Sequence, residues 1–155
     1  MPDAITIRHA TPDDAEPISA LITALAPSFF LADPDDVEAA APFFDKVTPA
    51  TIRDYLASDR YRYHVAGRGG ELVGVIGMRD HTHLFHLVVA EQVHRQGVAT
   101  RLWHEAKRVA EAAGNSGRFT VNSSRYAVPV YERFGFLVTG PEQHKNGLVF
   151  VPMAL

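Results

Sequence analysis

Apolar and polar residues alternate along ITIRHA (residues 5–10) with the two-residue period of a half-buried strand. The period then lengthens. In TPDDAEPISALITALA (11–26), Ile18, Leu21, Ile22 and Leu25 form the stripe of an amphipathic helix. Thr11 stands at its cap and Pro12 at its first position, and Asp13 and Asp14 suit the positive end of the helix dipole. Residues 27–47 show no period and contain Pro27, Pro34 and Pro42, so an irregular segment is expected. TPATIRDYLAS (48–58) reads as a short capped helix. YRYHVAGRGGELVGVIGMRD (61–80) reads as a hairpin turning at Gly67, Arg68, Gly69 and Gly70. HTHLFHLVVA (81–90) is the next strand. Residues 98–113 form a helix stopped by Gly114 and Asn115. GRFTVNSS (117–124) is a strand. RYAVPVYERFGF (125–136) is a short helix, provided that Pro129 falls in its first turn. FLVTG and GLVFVPMA close the chain as a second hairpin. The resulting order, β-α-(α)-β-β-β-α-β-α-β-β, predicts a mixed α/β fold. Without a repeat or a linker, residues 1–155 are expected to form one domain.

Composition narrows the class. A chain of 155 residues, 46% hydrophobic and 21% charged, can bury a core of its own. No run approaches the ~18–20 apolar residues of a membrane span. The first residues lack the charged-then-apolar pattern of a secretory signal. The absence of cysteine excludes disulfides and thiolate metal sites. A soluble cytoplasmic protein with no membrane partner is expected. A net charge of −3 and a pI near 6.2 argue against nucleic acid as a partner.

Candidate chemistry begins at HRQGVA (94–99), between a strand and a helix. A helix start offers N–H groups with no intrahelical partner and a positive dipole end, which together suit a phosphate. Gly97 permits close approach or a positive φ, and Arg95 adds charge. By spacing alone, the stretch is equally a plain helix entry with a turn glycine. It resembles, however, the acyl-CoA pyrophosphate loop of the GCN5-related N-acetyltransferases (the GNAT family). That pattern is Gln or Arg, two residues, Gly, one residue, then Gly or Ala. Gly97 and Ala99 match, and His94 stands where Gln or Arg is usual. HLFHLVV resembles the family's fourth strand. NSSRYAVPVYERFGF resembles its Asn-x-x-Ala-x-x-x-Tyr…Gly-Phe segment: Ala127, Tyr131, Gly135 and Phe136 match, and Ser124 replaces the common Asn.

The resemblance extends in element order over nearly the whole chain. It implies a mixed, mostly antiparallel central sheet of about seven strands with about four helices. It implies acetyl-CoA as co-substrate and no metal. The diphosphate falls to His94, Arg95, Gln96, Gly97, Val98, Ala99 and Thr100, and the acyl-pantetheine arm to Val88 and Val89, with the Val89 N–H on the thioester carbonyl. Ser124 either reaches that arm or caps the following helix.

Acyl transfer needs a neutral amine, a polarised carbonyl and a proton for the departing thiolate. A lysine-like amine of pKa ~10.4 costs roughly 4.6 kcal/mol to neutralise at pH 7, an α-amine of ~7.7 about 1 kcal/mol. His81 and His83, two apart in the expected strand, share a face, and His86 takes the other. Relatives often carry a glutamate, proposed as base, where His83 stands, so His83 is the candidate base; a structural histidine is the competing reading. His81 is placed beside the acceptor, and His86 is read as packed and hydrogen-bonded. A zinc site on His81 and His83 lacks a third ligand. Tyr131 matches the family tyrosine that faces the sulfur, although packing beside Phe134 and Phe136 also explains it.

In this family the first helices shape the acceptor site. Here they carry Phe29, Phe30, Phe43, Phe44 and Tyr55, near Asp33, Asp35, Asp36 and Glu38. Acids beside aromatics suit a cationic amine; alternatively the aromatics plug the core and the acids are merely solvated. Phe29, Phe30, Tyr55 and His81 are taken as acceptor residues. The expected function is acetyl-CoA-dependent N-acetyl transfer to a primary amine of a small molecule, peptide or protein. The rival is a non-catalytic acyl-CoA-binding sensor or regulatory module, against which the retained Tyr131 counts. A toxin-like action on charged tRNA is disfavoured by the net charge. A homodimer is left open.

Overall fold

A computed structural model describes residues 4–155. Along the chain run β1 (Thr6–His9), α1 (Ala15–Phe29), α2 (Ala41–Asp45), α3 (Pro49–Ala57), β2 (Tyr61–Arg68), β3 (Glu71–Arg79), β4 (His83–Val89), α4 (Val98–Ala112), β5 (Thr120–Ser123), α5 (Val128–Arg133), β6 (Leu137–Val138), β7 (Gln143–Lys145) and β8 (Leu148–Ala154). Seven strands form one path, β1-β2-β3-β4-β5-β8-β6, and β7 pairs with the other end of β8. Every pairing is antiparallel except β4 with β5. The architecture is the mixed, mostly antiparallel sheet expected.

The apolar run in β3 is explained by cover on both faces. Val75 packs with Ile18, Ile22 and Ile52 of α1 and α3. Its neighbour Ile76 packs on the opposite side with Leu102 and Trp103 of α4, beside Phe119 and Phe136. Gly74 lets α4 approach, since a Cβ there would lie 3.1 Å from Leu102. The β2–β3 turn uses Gly69 and Gly70 at φ of 58° and 84°, left-handed values that the hairpin twist requires. Gly77 has no room at all: an added Cβ would stand 2.5 Å from the Tyr63 ring. Tyr63 is fully buried and bonded to His86. Gly77→Ala should therefore cost about 1–3 kcal/mol by overpacking, read as a lower denaturant midpoint at unchanged slope.

Three local differences from the sequence reading affect the site. First, α1 continues through Pro27 to Phe29. A proline forfeits its own N–H and crowds the carbonyl one turn back, but bonding resumes beyond it, the Phe30 N–H reaching the Ala26 carbonyl at 2.8 Å. Second, His81 is not in the strand. Asp80 and His81 form a left-handed turn, at φ of 54° and 58°, and β4 begins at His83. Period-two reasoning therefore fails for that pair, and His81 and His83 do not share a strand face. Third, the acids of 33–38 are exposed, and two of them build turns: Asp33 accepts from the Asp35 N–H and Asp36 from the Ala39 N–H.

The parallel seam is short. Only His83 and Leu84 of β4 pair with β5, at Thr120 and Val121. Beyond them the two strands diverge, and the sheet opens into a cleft. Among the described residues, no helix is long and apolar enough to cross a membrane.

Candidate active site

Two cavities occupy the cleft. One, of about 380 Å³, runs from β4 to the start of α4 and is lined by Val88, Val89, His94, Arg95, Gly97, Val98, Ala99 and Thr100. The other, of about 410 Å³, lies towards the start of β4 and is lined by Arg79, His83, Phe85 and His86, and by residues of α2, β7 and β8. Phe30, Leu87, Ser124, Ala127 and Tyr131 border both.

The helix-side cavity ends on an uncapped helix. Gly97 is the N-cap of α4 at φ 76°, and no side chain satisfies the N–H groups there. The first intrahelical bond counted from that cap is Arg101 N–H to the Gly97 carbonyl, at 3.0 Å. A Cβ at Gly97 would meet nothing within 4 Å, so the glycine borders open space. Arg95 is also left-handed, at φ 65°, and exposed. Free N–H groups, a positive dipole end and a guanidinium around one opening make an anion cradle. Gln96 stands apart, its amide reaching back to the Gln92 carbonyl. His94 borders the cavity and ties the loop to β4, with Nε2 2.7 Å from the Val89 carbonyl. Phe29 packs against both His94 and Tyr126, at centroid distances of 6.3 and 5.4 Å, and so lines this cavity.

Tyr131 stands at the junction. It lies on α5, where Pro129 occupies the first turn as the sequence requires. Its ring packs edge-on against Phe134 and Phe136. It is 4% exposed, and its hydroxyl makes no hydrogen bond to another described residue. Burial raises the phenol above its ordinary pKa of 10, so it stays protonated. Ser124 accepts from the Ala127 N–H at 3.2 Å, a capping-type contact at the entry to α5.

The acceptor-side cavity holds both strand histidines. His83 is half-buried, with Nδ1 2.8 Å from Thr120 Oγ1. Burial, and secondarily the Arg79 guanidinium, lower its pKa below 6.5. His86 is buried, with Nδ1 2.9 Å from the Tyr63 hydroxyl, and burial lowers its pKa to about 4. It is packed as read, and it also borders the cavity. The roof combines the α1–α2 segment with the β7–β8 hairpin. Leu31 bridges to Leu148, and the Val149 N–H donates to the Phe30 carbonyl at 3.0 Å. Gly147 allows that docking, because a Cβ on it would lie 2.7 Å from the Ala39 backbone.

The structure thus brings together Tyr131, His83, Phe29, Phe30, Ser124, Val88, Val89 and the 94–100 loop apart from Gln96. It leaves out Tyr55 and His81. Tyr55 packs on Tyr61 and Phe85, at 4.5 and 5.6 Å between centroids, outside either cavity. His81 lends only its carbonyl, which accepts from Asn115 at 2.6 Å. Sequence reasoning missed Lys46, Arg79, Asn122 and Lys145, which line the acceptor side from four separate elements or loops. No local signal marks them.

A strand splayed from its parallel neighbour and an uncapped helix facing the gap make an anion-binding cleft, with a buried tyrosine bordering both of its cavities. The family profile for the acetyltransferase (GNAT) domain matches residues 30–155. The chain belongs to the GNAT acetyltransferase family. Solved structures agree on the fold. A GCN5-related N-acetyltransferase from Rhodopseudomonas palustris superposes with a TM-score of 0.75 at 20% identity, over 99% of this chain and 96% of that one. The PaiA N-acetyltransferase from Thermoplasma acidophilum, in complex with coenzyme A, gives 0.76 at 14% identity over 97% and 98%. An aminoglycoside 6'-N-acetyltransferase complexed with coenzyme A gives 0.69 at 16% over 97% and 96%. Among curated proteins, none matches the sequence significantly.

Proposed function

We propose that this N-acetyltransferase moves the acetyl group of acetyl-CoA to a primary amine of a small molecule or peptide, using Tyr131 and His83. One observation carries the reading: Tyr131 is buried, borders both cavities, and its hydroxyl makes no hydrogen bond to another described residue. A buried phenol normally finds a hydrogen-bond partner, so one left open to a cavity suits a ligand atom. The reaction joins the amine nitrogen to the acetyl carbon and breaks the carbon–sulfur bond. The sulfur keeps the bonding pair and becomes the thiol on protonation. An ammonium substrate also loses one proton to the medium.

In this reading, the 94–100 loop and the start of α4 hold the diphosphate. The Val89 N–H is directed at the thioester carbonyl and Tyr131 at the sulfur. His83 takes the ammonium proton directly or through water, its Nδ1 side being held by Thr120. Thiol release from acetyl-CoA across a panel of amines, amino acids, polyamines and peptides tests the function; silence across the panel, despite CoA binding, would favour the sensor reading.

The base has its own signature. Burial and Arg79 both oppose the imidazolium, so His83 stays neutral as pH falls through the ordinary histidine value. The acidic limb of kcat/KM should therefore lie below ~6.5. His83→Ala should lose rate at neutral pH and regain part of it as pH rises. The loss should be larger for an alkylamine of pKa ~10.4 than for an α-amine of ~7.7. His81→Ala, off the strand, serves as control. An unchanged profile in His83→Ala would remove the assignment.

A further inference from the structure

The wall of the acceptor cavity has one sign of charge. Lys46 follows α2, Arg79 ends β3 and Lys145 ends β7, and all three line it. No aspartate or glutamate does. Yet the chain as a whole is acidic, with 18 Asp and Glu against 15 Lys and Arg. Among the described residues, none of the three cations has a carboxylate within salt-bridge distance. Nearby arginines are paired: Arg60 with Asp80, and Arg125 with Glu142.

Arg79 anchors the group, and Lys46 and Lys145 are exposed at its rim. Arg79 is half-buried and lies directly across the β3–β4 ladder from His83. Its guanidinium carbon lies over the Phe85 ring, 5.5 Å from the centroid, and both residues line the cavity. The register slips beside it, leaving Phe85 opposite no residue of β3. Such a bulge redirects side chains next to a site. Lys145 comes from the hairpin docked through Gly147, and Lys46 from the end of α2. Asn122 and Asn146 add neutral donors. The diphosphate cradle lies at the other end of the cleft, so these cations are left over from it.

From this lining we infer that the acceptor is a primary amine that also carries an oxyanion, a carboxylate or a phosphonate-like group, on a partly apolar body. The inference rests on the acetyltransferase reading of the same site. Arg79 receives the oxyanion with Lys46 and Lys145 around it. The amine then lies towards His83, the cross-strand neighbour of Arg79, and the apolar body lies against Phe43, Leu148 and Phe150. An aminoglycoside or a polyamine, several times positive, meets like charge here.

The test pairs acids with their neutral counterparts: leucine and phenylalanine against their carboxamides, and 2-aminoethylphosphonate against ethanolamine, with spermidine as the cationic control. Two readouts are taken, thiol release from acetyl-CoA and the melting shift in the presence of CoA. One or both of the acid classes should exceed its neutral partner by about tenfold or more in kcat/KM, the size of a charge-assisted hydrogen bond. Which class does so separates carboxylate from phosphonate. Arg79→Gln should erase the preference mainly through KM, and Arg79→Lys should restore part of it; a merely structural arginine would move folding stability and not the acid–amide ratio. Thiol release with no discrimination leaves acetyl transfer standing and overturns the oxyanion site. An acid-selective melting shift without thiol release supports the oxyanion site and overturns the catalytic reading. Preference for spermidine, or no discrimination in either readout, overturns the inference.

Discussion

Gly97→Glu should abolish the stabilisation that acetyl-CoA or CoA gives the wild-type protein. At a hundred times its dissociation constant, a ligand that binds only the folded state adds ~2.7 kcal/mol, which is the shift expected to vanish. The argument has two parts. Gly97 holds φ at 76°, where an ordinary L-residue is strained by roughly 1–2 kcal/mol. Around its missing Cβ there is open space, so a new side chain extends into the cavity and not into the protein. A carboxylate there brings negative charge to the free N–H groups of α4 and competes with the diphosphate for the positive end of the dipole. Gly97→Asn separates the two effects. Asparagine tolerates left-handed backbone and is neutral, so it should keep much of the shift. A full shift in Gly97→Glu, or none in the wild type at millimolar CoA, would remove the diphosphate from this loop.

How far such a site is visible in a sequence depends on whether its parts are local. The 94–99 loop and the Tyr131 segment were legible because each is one short stretch. A glycine at a helix start and a proline in a first turn state their backbone geometry outright. The β2–β3 hairpin was legible through Gly69 and Gly70 for the same reason. His81 was misplaced because nothing in HTH announces that Asp80 and His81 take left-handed turns before the strand starts. The acids of 33–38 suggested a cationic substrate by their nearness in sequence to phenylalanines. In the fold all four are exposed, Asp33 and Asp36 satisfy turn N–H groups, and the charge that lines the cavity has the opposite sign. That lining was not legible: Lys46, Arg79 and Lys145 converge only through the sheet register and the docking of Gly147 against Ala39. Tyr55 failed likewise, since only the β2–β3–β4 packing shows that Tyr61 and Phe85 claim its ring. The opening of the cleft was equally hidden. It depends on β4 and β5 sharing only two residue pairs, which neither strand's own sequence records.

Tyr131→Phe should lower kcat by about a hundredfold while leaving CoA binding intact, the low end of what a positioned proton donor supplies. The substitution keeps the ring against Phe134 and Phe136 and removes only an oxygen with no hydrogen bond to another described residue. Folding stability should therefore hardly move. Tyr63→Phe offers the converse. Its hydroxyl is bonded to the buried His86, so its loss leaves a polar atom unsatisfied and should cost about 1–3 kcal/mol in stability. Burial also raises the Tyr131 phenol above its ordinary pKa. In the proposed mechanism, a phenol held protonated throughout the neutral range would donate as charge builds on sulfur and would be absent from the pH profile as a titrating group. The basic limb of kcat should accordingly keep its position in Tyr131→Phe while the plateau falls. An unaltered rate would reduce Tyr131 to a packing residue. A basic limb that vanished with the hydroxyl would make the phenol an acid that titrates during turnover, contrary to what its burial requires.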